Sequence, residues 1–150
     1  MPKDLPETTT RRDWMSLLAR APAARLAALF PDPLPQHALL RAAEIGSVMV
    51  RGRIGGTGGP FNLGEMTVTR CSARLPDGTV GHAYVQGRSR DHARRAALID
   101  ALMQTAEGPA LRGSCLEPLE REEEARRASR AGKAAATKVD FFTMVRGEDK

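Results

Sequence analysis

Residues 51–65 read RGRIGGTGGPFNLGE, and the fold turns on the residues that come after the glycines. A Walker loop requires GxxxxGK[ST], because its lysine reaches the β/γ-phosphates and its hydroxyl holds Mg²⁺. No lysine follows Gly59. A Rossmann fingerprint requires GxGxxG opening a helix, whereas Gly56-Thr57-Gly58 runs into Gly59-Pro60-Phe61 and a second strand pattern. Both nucleotide folds are rejected. What remains is a β–β connection whose bare amides can approach an anion, with Arg51 and Arg53 pointing together from the preceding strand. Arg51, Arg53, Gly55, Gly56, Thr57 and Gly58 are therefore candidate phosphate or interface contacts. The spacing by itself favours the plainer reading, a wide glycine-rich connection.

Working outward, Val48, Val50 and Ile54 alternate with Met49, Arg51 and Arg53, which predicts a half-buried strand. A second strand over about residues 65–75 begins with Met66 and Val68 inward and ends with Cys71, Ala73 and Leu75 inward. The change of parity predicts a bulge or strong twist near Arg70. LPDGT, residues 75–79, is a turn with a mechanism: Pro76 presets φ and Gly78 accepts the left-handed region. It joins strand two to a third strand, TVGHAYVQG, in a hairpin.

Helices flank this meander. Thr10 is a candidate cap for a first helix carrying Trp14, Leu17 and Leu18, and Pro22 opens a short second one with Leu26, Leu29 and Phe30. PDPLP at residues 31–35 forces a turn. A third helix is expected over about residues 36–44, with Gly46 as its cap. Ser89 caps a helix through RDHARRAALIDALMQTAEG that stops at Gly108-Pro109; a loop through Cys115 follows, and Pro118 opens a last helix. In that helix Glu122–Arg126 and Glu123–Arg127 have i,i+4 spacing, each pair worth about 0.2–0.5 kcal/mol, so its charges need no ligand. The fold class expected is α+β: one domain over residues 1–150, a small antiparallel three-stranded β-meander packed with N-terminal and C-terminal helices.

The chain has 150 residues, only 4% of them aromatic, and a formal charge of +5 with an isoelectric point near 9.9. A core rich in alanine buries little area per side chain, which motivates a subunit reading. The charge favours anionic partners. No stretch approaches a membrane span or a signal-peptide core, so the expected location is cytoplasmic, with no membrane partner. Cys71 and Cys115 lack CxxC or His-Cys spacing and read as reduced structural thiols. No metal site is expected. His37 is placed on a helix, His82 on a strand and His92 in the first turn of a helix. His92 joins Arg88 and Arg90 at a helix N-terminus, where an anion is also favoured, so Arg88 and His92 are further candidate contacts. No GxSxG, HExxH or carboxylate pair announces a self-contained active site, and the catalytic residues stay unknown. Phe141, Phe142, Met144 and Val145 in DFFTMVRGEDK are too apolar for a disordered tail and are candidate partner anchors.

Taken together, GGTG at 55–58, TVTR at 67–70, LPDGTVGHAYVQGR at 75–88, HARRAALIDALM at 92–103 and DFFTMVRG at 140–147 closely resemble the PhnG family, and RRDWMSLLA at 11–19 extends the match. These are small subunits of the bacterial carbon–phosphorus lyase core complex. The resemblance implies a role in phosphonate breakdown. With the nucleosidase-like I subunit and the H and L subunits, the family is needed to join the ribosyl triphosphate of MgATP to methylphosphonate at C1′. Adenine leaves and α-D-ribose 1-methylphosphonate 5-triphosphate forms. The core complex also contains the radical-SAM subunit J. On this reading MgATP is a substrate of the complex, no cofactor is bound by this chain alone, and the chain is accessory rather than catalytic. Two competing classes are a basic nucleic-acid-binding module, which the scarcity of aromatic stacking platforms disfavours, and a free-standing nucleotide enzyme.

Overall fold

The computed structural model describes the backbone of residues 6–139 and the side chains of residues 11–139. Helix α1 (Pro6–Arg20) begins before Thr10, which therefore lies inside it rather than at its cap. Its stripe is as the spacing predicts: Trp14, Leu17 and Leu18 are buried. Helix α2 (Ala23–Leu29) follows Pro22 and buries Leu26.

Residues 36–44 do not form a helix. They lead into β1 (Ala38–Arg53), a strand of 16 residues. Ala, Leu, Arg and Glu favour helix in isolation, but here Ala38 and Leu39 pair with Arg74 and Ala73 of β2 (Pro60–Arg74), and Glu44 pairs with Arg70. Ladder pairing overrides the weak local preference. Gly46 is a mid-strand residue opposite Val68, and His37 precedes the strand. The register breaks between Arg41↔Ser72 and Glu44↔Arg70. The irregularity expected near Arg70 thus exists, with its extra residues, Ala42 and Ala43, on β1.

The turn after β2 forms as its sequence dictates. Gly78 sits at φ 92°, Leu75 N–H reaches Thr79 O at 2.9 Å, and Asp77 Oδ1 accepts from Thr79 N–H at 2.9 Å. The sheet order β1-β2-β3, all antiparallel, is the expected meander, with β3 spanning Val80–Gln86.

Helix α3 (Arg90–Met103) is capped by Ser89 Oγ, which accepts from His92 N–H at 3.1 Å. It lies across β2 and β3, and α1 packs on β3. Ala93, Ala97, Leu98, Ile99 and Ala101 meet Cys71, Ala73, Ala83 and Val85 in the core. Close approach needs Gly81: a Cβ there would lie 1.9 Å from the Ala97 carbonyl oxygen. Helix α3 ends at Met103, before Gly108-Pro109, where the N–H groups of Gln104 and Thr105 turn back to Ala101 and Leu102. The segment read as a loop is helical: α4 (Gly108–Leu111), a π-helical turn at Arg112–Leu116 holding buried Cys115, then α5 (Glu117–Ala136), with Pro118 in its first turn. Leu116 and Leu119 anchor α5 in the core, while residues 124–139 are exposed throughout.

Candidate functional site

The glycine loop closes the far end of the β1–β2 ribbon. Arg51 pairs with Asn62 and Arg53 with Pro60, which puts both arginines on one face, as their alternation predicts. Ile54 leaves the strand in a short turn and is exposed, so it does not continue the face of Val48 and Val50 as the alternation predicts. Gly55 and Gly56, at φ 60° and 81°, take the left-handed backbone that only glycine adopts freely. The amides of Thr57 and Gly58 converge on the Ile54 carbonyl, the latter at 2.8 Å, and Arg53 donates to Gly58 O at 3.1 Å. Two of the amides expected to cradle an anion are thus already used within the loop. Arg51 and the Gly55 and Gly56 amides sit with Arg53 at an exposed tip.

Arg88 and His92 are elsewhere. Gly87 N–H bonds Thr67 O, seven residues along β2 from Pro60, which separates the two groups by roughly 20 Å or more at about 3.4 Å per residue. Arg88 is exposed before the α3 cap. His92 is in the interior, its Nε2 2.7 Å from Leu18 O. That carbonyl demands an N–H, so the neutral Nε2-protonated tautomer fits. Burial lowers its pKa, and the bond to Leu18 opposes the shift only in part. The positive end of α3 is satisfied internally by Ser89 and by Asp91, whose carboxylate also holds Arg95 at 2.8 Å. Arg95, nearly buried, reaches on to Phe30 O and to Asp32 at 3.0 Å, and so ties the PDPLP turn to α3.

Three arrangements were not foreseen. Asp100, fully buried, accepts from Arg11 Nε and Nη2, Trp14 Nε1 and the His82 backbone N–H at 2.8–3.1 Å. Its signal is an acidic residue inside the apolar run ALIDALM. On the sheet face away from α3, Ser72 Oγ lies 2.9 Å from His82 Nδ1. Arg70 and Arg74 are on the same face, and Glu44 bridges Arg41 and Arg70. Centring the hairpin on Asp77 was enough to place Ser72 opposite His82. Glu123 was paired in sequence with Arg127 alone, at 3.5 Å, but takes Arg20 at 3.0 Å, while Glu122 turns to Arg25 rather than Arg126.

A cleft of about 210 Å³ between α1 and β3 is lined mainly by apolar groups such as Leu18, Ala83 and Val85. That is below the roughly 300–1,000 Å³ of ligand pockets. A wider depression of about 450 Å³ lies between residues 36–38 and the hairpin turn, with Arg74 and His37 at its wall. Among the described residues, no group of three or more His, Cys, Asp or Glu is arranged for a metal ion, and no helix is long and apolar enough to cross a membrane. Cys71 and Cys115 are free and buried. The anchors read at Phe141, Phe142, Met144 and Val145 lie outside the described residues.

Among the described residues, the geometry brings Arg51, Arg53 and the loop glycines together at an exposed ribbon tip. Residues 9–147 match the family model described as phosphonate metabolism protein PhnG. The alpha-D-ribose 1-methylphosphonate 5-triphosphate synthase subunit PhnG of Rhizobium meliloti (strain 1021) is 48% identical over 141 residues, covering 93% of this chain and 90% of that protein. The motifs at 55–58, 67–70, 75–88, 92–103 and 140–147 all fall inside the matched span, and the chain belongs to the PhnG family of phosphonate metabolism proteins.

Proposed function

We propose that this chain acts in phosphonate catabolism as a subunit of the carbon–phosphorus lyase system. In this reading it works with the I, H and L subunits to transfer the ribose 5-triphosphate moiety of MgATP to methylphosphonate in the cytoplasm. The carrying observation is the 48% identity to a named subunit of the ribose 1-methylphosphonate 5-triphosphate synthase over nearly the whole chain.

Displacement at C1′ develops oxocarbenium-like charge, as in glycoside hydrolysis, and needs an acid near the departing base and tight placement of the nucleophile. Among the described residues, the buried carboxylate is Asp100, and its oxygens are taken up by four donors within the fold. Exposed Arg51 and Arg53 are suited instead to charge-assisted bonds with an anion, either phosphate oxygens or the carboxylates of a partner. These features support an accessory role, in which this chain positions and the main chemistry belongs to the I subunit. It binds no cofactor of its own.

The test is co-expression with the I, H, J and L subunits and purification through a tag on this chain, followed by assay of adenine release from MgATP and methylphosphonate. The reading expects co-purification and activity that depends on this chain. Steady adenine release by the rigorously purified chain alone would overturn the accessory role, and failure to recover any of the subunits would overturn the assignment to the complex.

A further inference from the structure

Among the described residues, β1 and β2 continue beyond the Val68↔Gln86 pair without a third strand. From Ser47 to Thr67 no residue is buried. Among the described residues, the two strands and their glycine tip form a ribbon that no helix covers. A two-stranded hairpin alone is marginal in water, so some other surface is needed to hold this one in place.

Its two faces differ. Directly paired residues share a face. Val48↔Met66, Val50↔Gly64 and Gly52↔Phe61 therefore make one strip, with the Phe61 ring 3.6 Å from where a Gly52 side chain would begin. That strip carries no charge. The opposite strip is Met49↔Glu65, Arg51↔Asn62 and Arg53↔Pro60. Leu63, skipped where the register passes from Val50↔Gly64 to Arg51↔Asn62, is 66% exposed, and Ile54 at the tip is 69% exposed. Apolar exposure of this kind, gathered on one projection, marks an interaction surface.

We propose that the ribbon of residues 47–67 is a docking arm, inserted into a cleft of another subunit of the synthase that is apolar on one side and acidic on the other. This rests on the function proposed above. A standard interface takes roughly 20–30 residues from each side, about what this ribbon supplies on its own. The charges decide the partner. On the arm they are Arg51 and Arg53 against Glu65, so the matching wall carries carboxylates. A second copy of the chain fits poorly: its formal charge is +5, and Glu44, the carboxylate on β1 beside the arm, is held between Arg41 and Arg70.

Phe61→Asp and Val50→Asp, made separately in the tagged full chain and co-expressed with the I, H and J subunits, test the arm. Neither residue belongs to the core cluster, so the unfolding temperature of the isolated chain should stay within a degree or two. Recovery of the partner subunits should fall at least tenfold for each. In the wild-type complex the amides of residues 47–67 should exchange more slowly than in the isolated chain. Full recovery of the complex with both variants overturns the arm while leaving the proposed function intact, as does unchanged exchange in this segment. A dimer of the isolated chain that either substitution dissolves reassigns the strip to a second copy and also overturns the proposal. If the wild-type chain recovers no partner, the function reading fails, and the arm with it.

Discussion

Asp100 on α3 accepts the indole N–H of Trp14 on α1 at 3.0 Å, deep in a core built mainly of alanine and leucine. The same carboxylate takes the backbone N–H of His82, on β3, and both Arg11 donors. Two helices and a strand are thus fixed to one side chain, and all four acceptor sites of the ion are filled. The charge also holds Arg11 protonated more firmly than usual, chiefly through the hydrogen bond itself.

Replacing Asp100 with Ala should therefore destabilise the fold by about 3 kcal/mol, because buried donors lose their partner while nothing compensates them. Trp14→Phe, which removes one donor and keeps the ring packing, should cost about 1 kcal/mol. Denaturant unfolding of both variants and of the double variant checks this. Additive losses would show that the two residues do not act together.

Gly81 sets the distance between β3 and α3. An alanine Cβ there would lie 1.9 Å from Ala97 O and 2.5 Å from Ala101 N, both backbone atoms that cannot swing aside. Gly81→Ala should destabilise by about 2–3 kcal/mol through overpacking, whereas Gly59→Ala, where nothing lies within 4 Å of the added Cβ, should be close to neutral. Thermal unfolding of the pair separates the two cases.

These two sites show what was and was not legible in the sequence. The hairpin was legible because LPDGT contains its own geometry, and α3 because Ser89 and an apolar face agree on one helix. Residues 38–44 were not, since Ala-Leu-Leu-Arg-Ala-Ala-Glu prefers helix locally and becomes strand only when Arg70, Ser72, Ala73 and Arg74 lie alongside. Gly108-Pro109 misled for the opposite reason: Pro109 suits the first turn of a new helix as well as it ends an old one. In the site, Arg51, Arg53 and the glycines came together as the alternation required. Arg88 and His92 lie apart from them, because β2 starts at Pro60 rather than near residue 65 and so carries the glycine tip well beyond the Val68↔Gln86 pair where β3 ends.

Burial lowers the pKa of His92. The folded chain then binds this proton less readily than the unfolded one, so the slope of stability with pH is positive between the two values. The contribution of the neutral ring is complete above about pH 6.5, the unfolded value, and is lost as pH falls from there towards the lower folded value. The unfolding temperature of the wild type should fall from pH 7.5 to pH 5.5 more steeply than that of His92→Gln, and equal slopes would remove His92 as the cause.

Cys115 has its thiol pushed up to about 11 by burial, and burial also raises Cys71. Cys115 should react with iodoacetamide at pH 8 about a hundredfold more slowly than a free thiol with pKa near 8.5, and Cys71 should also react more slowly than a free thiol. Denaturant should expose both to modification, which mass spectrometry would count. Prompt labelling of either cysteine in the folded chain would contradict its inert, structural role.

The tip of the ribbon separates substrate contact from assembly. Arg53 holds Gly58 O from an exposed position, and Gly56 adopts φ 81°, where a β-branched side chain is strained. Neither residue is part of the core cluster, so Arg51→Ala, Arg53→Ala and Gly56→Val should all leave the isolated chain folded. If the arginines hold the triphosphate, each Arg→Ala change removes a charge-assisted bond worth about 1.5–3 kcal/mol, and substrate use should fall roughly tenfold to more than a hundredfold in a complex that still assembles. If the tip is instead an interface element, Arg53→Ala and Gly56→Val should weaken assembly first, and adenine release should fall only in proportion to complex lost. Measuring both in the same preparations decides between them. Variants normal in assembly and in adenine release would reduce the loop to a plain connection between two strands.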